Sequence, residues 1–130
     1  MPSKTLTTLA LCLTLTLHSA ATQAVAPPAA SGPATGSPEA AAKARAFDNR
    51  EQSVALGEKR FNQSCVYCHG NRGSGGKAKK LQGRKFDPDY LFKTITKGKR
   101  RGSLVMPPWG KTFSEQERWE LVTFILSLGQ

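Results

Sequence analysis

Donor groups for metals and redox centres are scarce in this sequence. Its 130 residues include three Cys, two His and two Met. So little cysteine excludes a disulfide-rich scaffold. The short chain excludes a multi-domain enzyme with its own dinucleotide fold, since one βαβ unit alone takes about 30 residues. Acidic residues are also few: nine Asp plus Glu stand against nineteen Lys plus Arg, a formal net charge of +10. The apolar stretch Leu6 to Leu17 is interrupted by Thr and is too short to cross a bilayer comfortably.

The chain opens as an export signal. Lys4 supplies a positive start, Leu6 to Leu17 the apolar stretch, and Ser19-Ala20-Ala21 or Thr22-Gln23-Ala24 a small-residue cleavage site. Residues 1–24 are therefore expected to be a signal peptide and the mature protein to be periplasmic. An uncleaved membrane anchor is the competing reading. Leu11 before Cys12 argues against a lipid anchor. Residues 25–46 are rich in Ala, Pro, Gly and Ser, too poor in apolar groups to fold alone. They are expected to form a disordered linker, leaving residues 47–130 as the folded domain. A domain of roughly 80 residues usually needs a staple such as a metal or cofactor.

Cys65-Val66-Tyr67-Cys68-His69 has the spacing C-x-x-C-H. Two thiols at this spacing can each add across a vinyl group of one haem, with the next residue's imidazole held against the iron. Other readings fit less well. Structural zinc needs four ligands, and after signal removal the only Cys and His residues are these three. A thioredoxin-like motif would need a βαβ setting, whereas the flanking pattern is helical. A disulfide between Cys65 and Cys68 would leave His69 unexplained. A six-coordinate iron needs a second axial ligand, and Met106 is the one methionine remaining after Met1. It stands in Leu104-Val105-Met106-Pro107-Pro108-Trp109-Gly110, where the prolines forbid helix and favour a loop. Trp109 fits either the haem edge or a plain core position.

The folded part is similar to class I, mono-haem bacterial c-type cytochromes of the cytochrome c family, over residues 54–130. Gly57 stands eight residues before Cys65 and Phe61 four before it. The resemblance places both on the first helix of the domain and has Gly57 admit a close crossing of the last helix, with Leu121 and Phe124 at the crossing. It makes the Met106 run the loop carrying the distal ligand. The chain departs from the family at Ala78-Lys79-Lys80-Leu81, where Lys79 occupies the place of a proline whose carbonyl accepts the histidine N–H. A backbone carbonyl is still available there.

The residues support the same helices without the family. Val54, Gly57, Glu58 and Phe61 recur at helical spacing. Asp87 reads as an N-cap with Pro88 in the first helical position, Leu91, Phe92 and Ile95 as an apolar face, and Gly98 as a C-cap. Ser114 to Glu117 reads as a capping box opening a last helix that ends at Gly129. No stretch alternates as a strand. The expected fold is all-α: a small cytochrome c-like arrangement wrapped around one covalently bound haem c.

Between residues 77 and 101 there are ten basic residues and only Asp87 and Asp89 opposing them, a net +8. This is either a solvated face or a positive rim that steers an acidic redox partner. No nucleic-acid motif accompanies it. The resulting expectation is an electron carrier, not an enzyme. It would cycle Fe(II)/Fe(III) on a haem bound by Cys65 and Cys68 and ligated by His69 and Met106. Electrons would pass between a periplasmic dehydrogenase and a terminal acceptor such as an oxidase. The rivals are a haem enzyme or gas sensor with an open iron position, and a dedicated subunit of a dehydrogenase complex.

Overall fold

The computed structural model describes residues 36–130. The expected signal peptide and the first part of the expected linker lie outside these residues. The described part contains α1 (Pro38–Asp48), α2 (Arg50–Ser64), α3 (Val66–His69), α4 (Pro88–Lys97), β1 (Lys99–Arg101), β2 (Leu104–Met106) and α5 (Glu115–Ser127). A single 3₁₀ turn, Asn71–Gly73, follows α3.

The helix ends form where local side chains satisfy the first free N–H groups. Asp87 accepts from Tyr90 N at 2.7 Å, with Pro88 leading α4. Ser114 Oγ accepts from Glu117 N at 3.3 Å while the Glu117 carboxylate accepts from Ser114 N at 2.8 Å, a closed capping box. Gly98 ends α4 with φ +70°, a conformation that favours glycine.

Helix α5 is the spine. Trp119, Leu121, Val122, Thr123 and Phe124 are all fully buried. It packs against α1, α2 and α4. At the α2 crossing, a Cβ on Gly57 would fall 2.1 Å from Glu120 O and 2.8 Å from Phe124 Cβ, so only glycine permits this approach. Phe124 lies at this crossing; Leu121 is buried on the same helix. Arg60 ties the two helices further. Its Nε donates to Glu117 Oε1 at 3.2 Å, and Nη1 pairs with Glu120, itself buried. Elsewhere Phe92 stacks on Trp119 with ring centroids 4.4 Å apart.

Two features differ from the sequence expectation. Residues 38–46 are not linker. Beyond Pro38 the segment is Ala-rich, with high intrinsic helix propensity, and Ser37 caps it by accepting from Ala40 N at 3.2 Å. Its apolar face is made of small side chains, Ala42 and Ala46, both buried. Phe47 meets Trp119 edge-on, and Lys43 pairs with Asp89 at 2.6 Å. Composition alone reads this as unfoldable because the contacts that bury its apolar face are tertiary. The domain therefore begins near Ser37 rather than at residue 47.

The second difference is a two-stranded antiparallel ribbon, where the sequence shows no strand alternation. Lys99 pairs with Met106, Arg100 with Val105 and Arg101 with Leu104. The fold remains mainly helical. The ribbon is three residues deep and is closed at its tip by Gly102 with φ +58°.

Candidate functional site

Helix α2 ends on Cys65, whose N–H donates to Phe61 O at 2.8 Å. The backbone turns at once into α3, with Cys68 N and His69 N both donating to Cys65 O at 3.2 and 3.0 Å. Positions i, i+3 and i+4 of one helical turn share a face. Cys65, Cys68 and His69 are therefore brought together on one side of a single turn. Gly70 ends that turn with φ +74°.

Both cysteines are free thiols and half-buried. Burial pushes the Cys65 thiol up to about 11, with the neighbouring Cys68 adding to the shift. The Cys65 thiol therefore resists ionisation at neutral pH. Burial also holds His69 below the ordinary histidine value, partly opposed by the Lys79 carbonyl. The imidazole is thus neutral near pH 7, the form that offers a lone pair to a metal. Its buried Nδ1 has no hydrogen-bond partner. The Lys79 carbonyl faces the ring and favours its protonated form, so a backbone carbonyl still stands at the histidine although lysine replaces the proline.

The loop after Gly70 folds back over the turn that bears the thiols. Gly75 N donates to His69 O at 2.7 Å and Ala78 N to Cys68 O at 2.9 Å. Leu81 N then reaches Gly73 O at 2.8 Å and buries its side chain. Positive φ at Gly70, Arg72, Gly73 and Gly75 makes this path possible.

Met106 is carried separately, at the end of β2, half-buried and packed against the core. The loop behind it is pinned to α4, with Trp109 N donating to Ile95 O at 3.0 Å and Gly110 N to Thr96 O at 3.1 Å. Trp109 stacks on Phe113 at 5.4 Å, which favours its core role. Gly98 has a second duty here that helix capping alone does not reveal. A Cβ on it would lie 2.5 Å from Met106 O and 2.9 Å from Pro107 C. The Met106 loop crosses directly over that glycine.

Among the described residues, no three His, Cys, Asp or Glu side chains converge as a metal-binding cluster. That leaves zinc without a cage. The donor set instead fits a covalently held haem: two free thiols, a neutral imidazole on the same turn, and a thioether from another element. A family model described as cytochrome c oxidase, cbb3-type, subunit III matches residues 52–125, more than half of the chain.

The chain belongs to this cytochrome c family. The family carries electrons on covalently bound haem c, and Cys65 and Cys68 are present for the attachment. The fold is also similar to the crystal structure of cytochrome CL from the marine methylotrophic bacterium Methylophaga aminisulfidivorans MPT. The TM-score is 0.52 and the identity 23%, covering 62% of this chain. This chain spans only 56% of the length of that cytochrome. No curated protein matches the sequence. Among the described residues, no helix is long and apolar enough to cross a membrane.

Proposed function

We propose that this cytochrome is a periplasmic electron carrier whose haem is bonded through Cys65 and Cys68 and ligated by His69 and Met106. The observation that carries the reading is the single turn that gathers both thiols and a neutral imidazole, with one thioether on a loop anchored by Gly98. The bound haem would supply one-electron Fe(II)/Fe(III) chemistry. Cys65 and Cys68 keep it from dissociating. His69 would supply the iron with an imidazole nitrogen, and Met106 would supply a thioether, which would raise the potential by favouring ferrous iron. No side chain is needed to move a proton.

The charge distribution supports a redox-protein partner with an acidic surface. None of the ten basic residues between 77 and 101 enters an ion pair among the described residues. Nine of them are exposed, Lys99 being half-buried. An unneutralised field of this kind speeds encounter with an acidic partner and weakens with salt. A periplasmic dehydrogenase as donor and a terminal oxidase as acceptor fit that chemistry. The family model's description favours one further reading, a subunit resident in an oxidase complex, which co-purification with such a complex would reveal.

The test is spectroscopic, on the mature holoprotein. A pyridine haemochrome assay should give one c-type haem per chain. The ferric spectrum should show the red methionine-to-iron charge-transfer band, and Met106→Ala should abolish it and admit carbon monoxide. A parent protein that lacks the band, or binds carbon monoxide readily, would favour the open-site rival.

A further inference from the structure

We propose that Lys99 and Arg101 form the counter-ion site for the carboxylates of the haem. This rests on the reading of Met106 as an iron ligand. The pairing register decides it. Lys99 lies opposite Met106 and Arg101 opposite Leu104. Paired residues in an antiparallel ribbon share a face, and the face alternates along each strand. Lys99, Arg101, Leu104 and Met106 therefore project from one side, and Arg100 and Val105 from the other. The Met106 face bears two cations beside Leu104, whereas the other face bears one, Arg100, beside Val105; Leu104 and Val105 are similarly uncovered, at 54% and 52%, so the two faces differ in charge. Apolar surface beside paired positive charge is what an apolar macrocycle with carboxylates at one edge requires.

The two cations have no carboxylate of their own. Asp87 is committed to the α4 N-cap, accepting from Tyr90 N at 2.7 Å. Asp89 pairs with Lys43 of α1 at 2.6 Å. Lys99 instead donates to the neutral Tyr90 hydroxyl, with its ammonium 4.9 Å from that ring's centroid. The local field is positive enough for Lys99 and Arg101 both to pull the Tyr90 hydroxyl below the ordinary phenol range, the Lys99 hydrogen bond being the main cause. Tyr90 also holds the Lys99 ammonium near the ribbon.

The site would set the redox equilibrium. A carboxylate close to the iron stabilises the more positive ferric state, and a cation that neutralises the carboxylate removes that bias. The experiment compares two charge-matched double variants of the holoprotein by spectroelectrochemical titration at one pH and ionic strength. Lys99→Gln/Arg101→Gln removes both cations from the Met106 face. Lys97→Gln/Arg100→Gln removes two exposed cations from the same segment, Arg100 being on the opposite ribbon face. The first should shift the Fe(III)/Fe(II) equilibrium toward ferric by about three- to tenfold, where tenfold is 59 mV for one electron. The second should shift it by less than a third as much, and Lys99→Arg should stay near the parent value. Equal shifts in both doubles, or no shift in the first, overturn the proposal. The methionine-to-iron band, read in the same samples, separates this outcome from failure of the ligation itself: the band stays while the counter-ion site fails, whereas its absence from the parent removes both.

Discussion

Gly57→Ala should destabilise the domain even though alanine is the better helix former. In an unconstrained helix interior the change would gain roughly 1 kcal/mol. Here the new methyl carbon would sit 2.1 Å from Glu120 O, 2.7 Å from Glu120 C and 2.8 Å from Phe124 Cβ. Ordinary contact begins near 3.5 Å, so α2 and α5 must part by about 1 Å at the crossing. Neither side yields easily. Two of the three atoms are backbone, the Glu120 carbonyl also accepts from Thr123 Oγ1 at 2.8 Å, and Arg60 clamps the Glu120 carboxylate. Overpacking of this kind costs roughly 1–3 kcal/mol or more, and the backbone clash places it at or beyond the upper end. The net loss should be about 2 kcal/mol or greater. For a domain of this size that lowers Tm by roughly 8–16 °C. The displacement should also reach the haem turn, because Phe124 packs on Phe61 at 5.2 Å and Phe61 faces His69 at 6.2 Å. Guanidinium unfolding of the holoprotein, followed by far-ultraviolet circular dichroism and by the Soret band, measures both effects. Gly83→Ala is the comparison, since a Cβ there meets nothing within 4 Å and only the φ of +67° is strained. Equal or greater stability of Gly57→Ala would refute the close-crossing argument.

Gly98→Ala should act on Met106, the proposed second ligand. It forces a side chain into the Met106 and Pro107 backbone at a residue with φ +70°, so the methionine-to-iron band should be lost while helix content survives; an intact band would refute the second duty assigned to Gly98. Stability should fall in acid partly through Glu117. Its pKa is depressed first by the Ser114 N–H it accepts from and, more weakly, by the Ser114 hydroxyl and Arg60. A group with a lowered folded pKa stabilises above its unfolded value, about 4.3, and loses that contribution as pH falls through the folded one. Denaturant midpoints between pH 6 and 3 should therefore drop more steeply in the parent than in Glu117→Gln, and parallel curves would count against the capping box.

What the sequence made legible are the features whose bonds are short in range. Ser114 with Glu117, Asp87 with Pro88, and Cys65 with Cys68 and His69 each declare themselves within four residues, and each stands in the structure where its spacing places it. Met106 could be singled out because so few soft donors exist. Other features depend on partners far along the chain. Helix α1 is alanine-rich and looks like linker until Ala42 and Ala46 meet α5. The ribbon begins Lys99-Arg100-Arg101, with no apolar alternation, and its register depends on turns at Gly98 and Gly102. The loop from Gly70 to Leu81 closes through carbonyls of the haem turn itself, by way of an arginine and three glycines at positive φ. The division is physical. Covalent attachment and ligation need particular atoms at fixed local spacing, so a motif can encode them. The proposed tuning of the iron would depend on which cations share the Met106 face and which carboxylates are already engaged, and both follow from pairing and packing. Two neighbouring arginines, Arg100 and Arg101, are indistinguishable in sequence, yet the ribbon sends only one of them to the side of Met106.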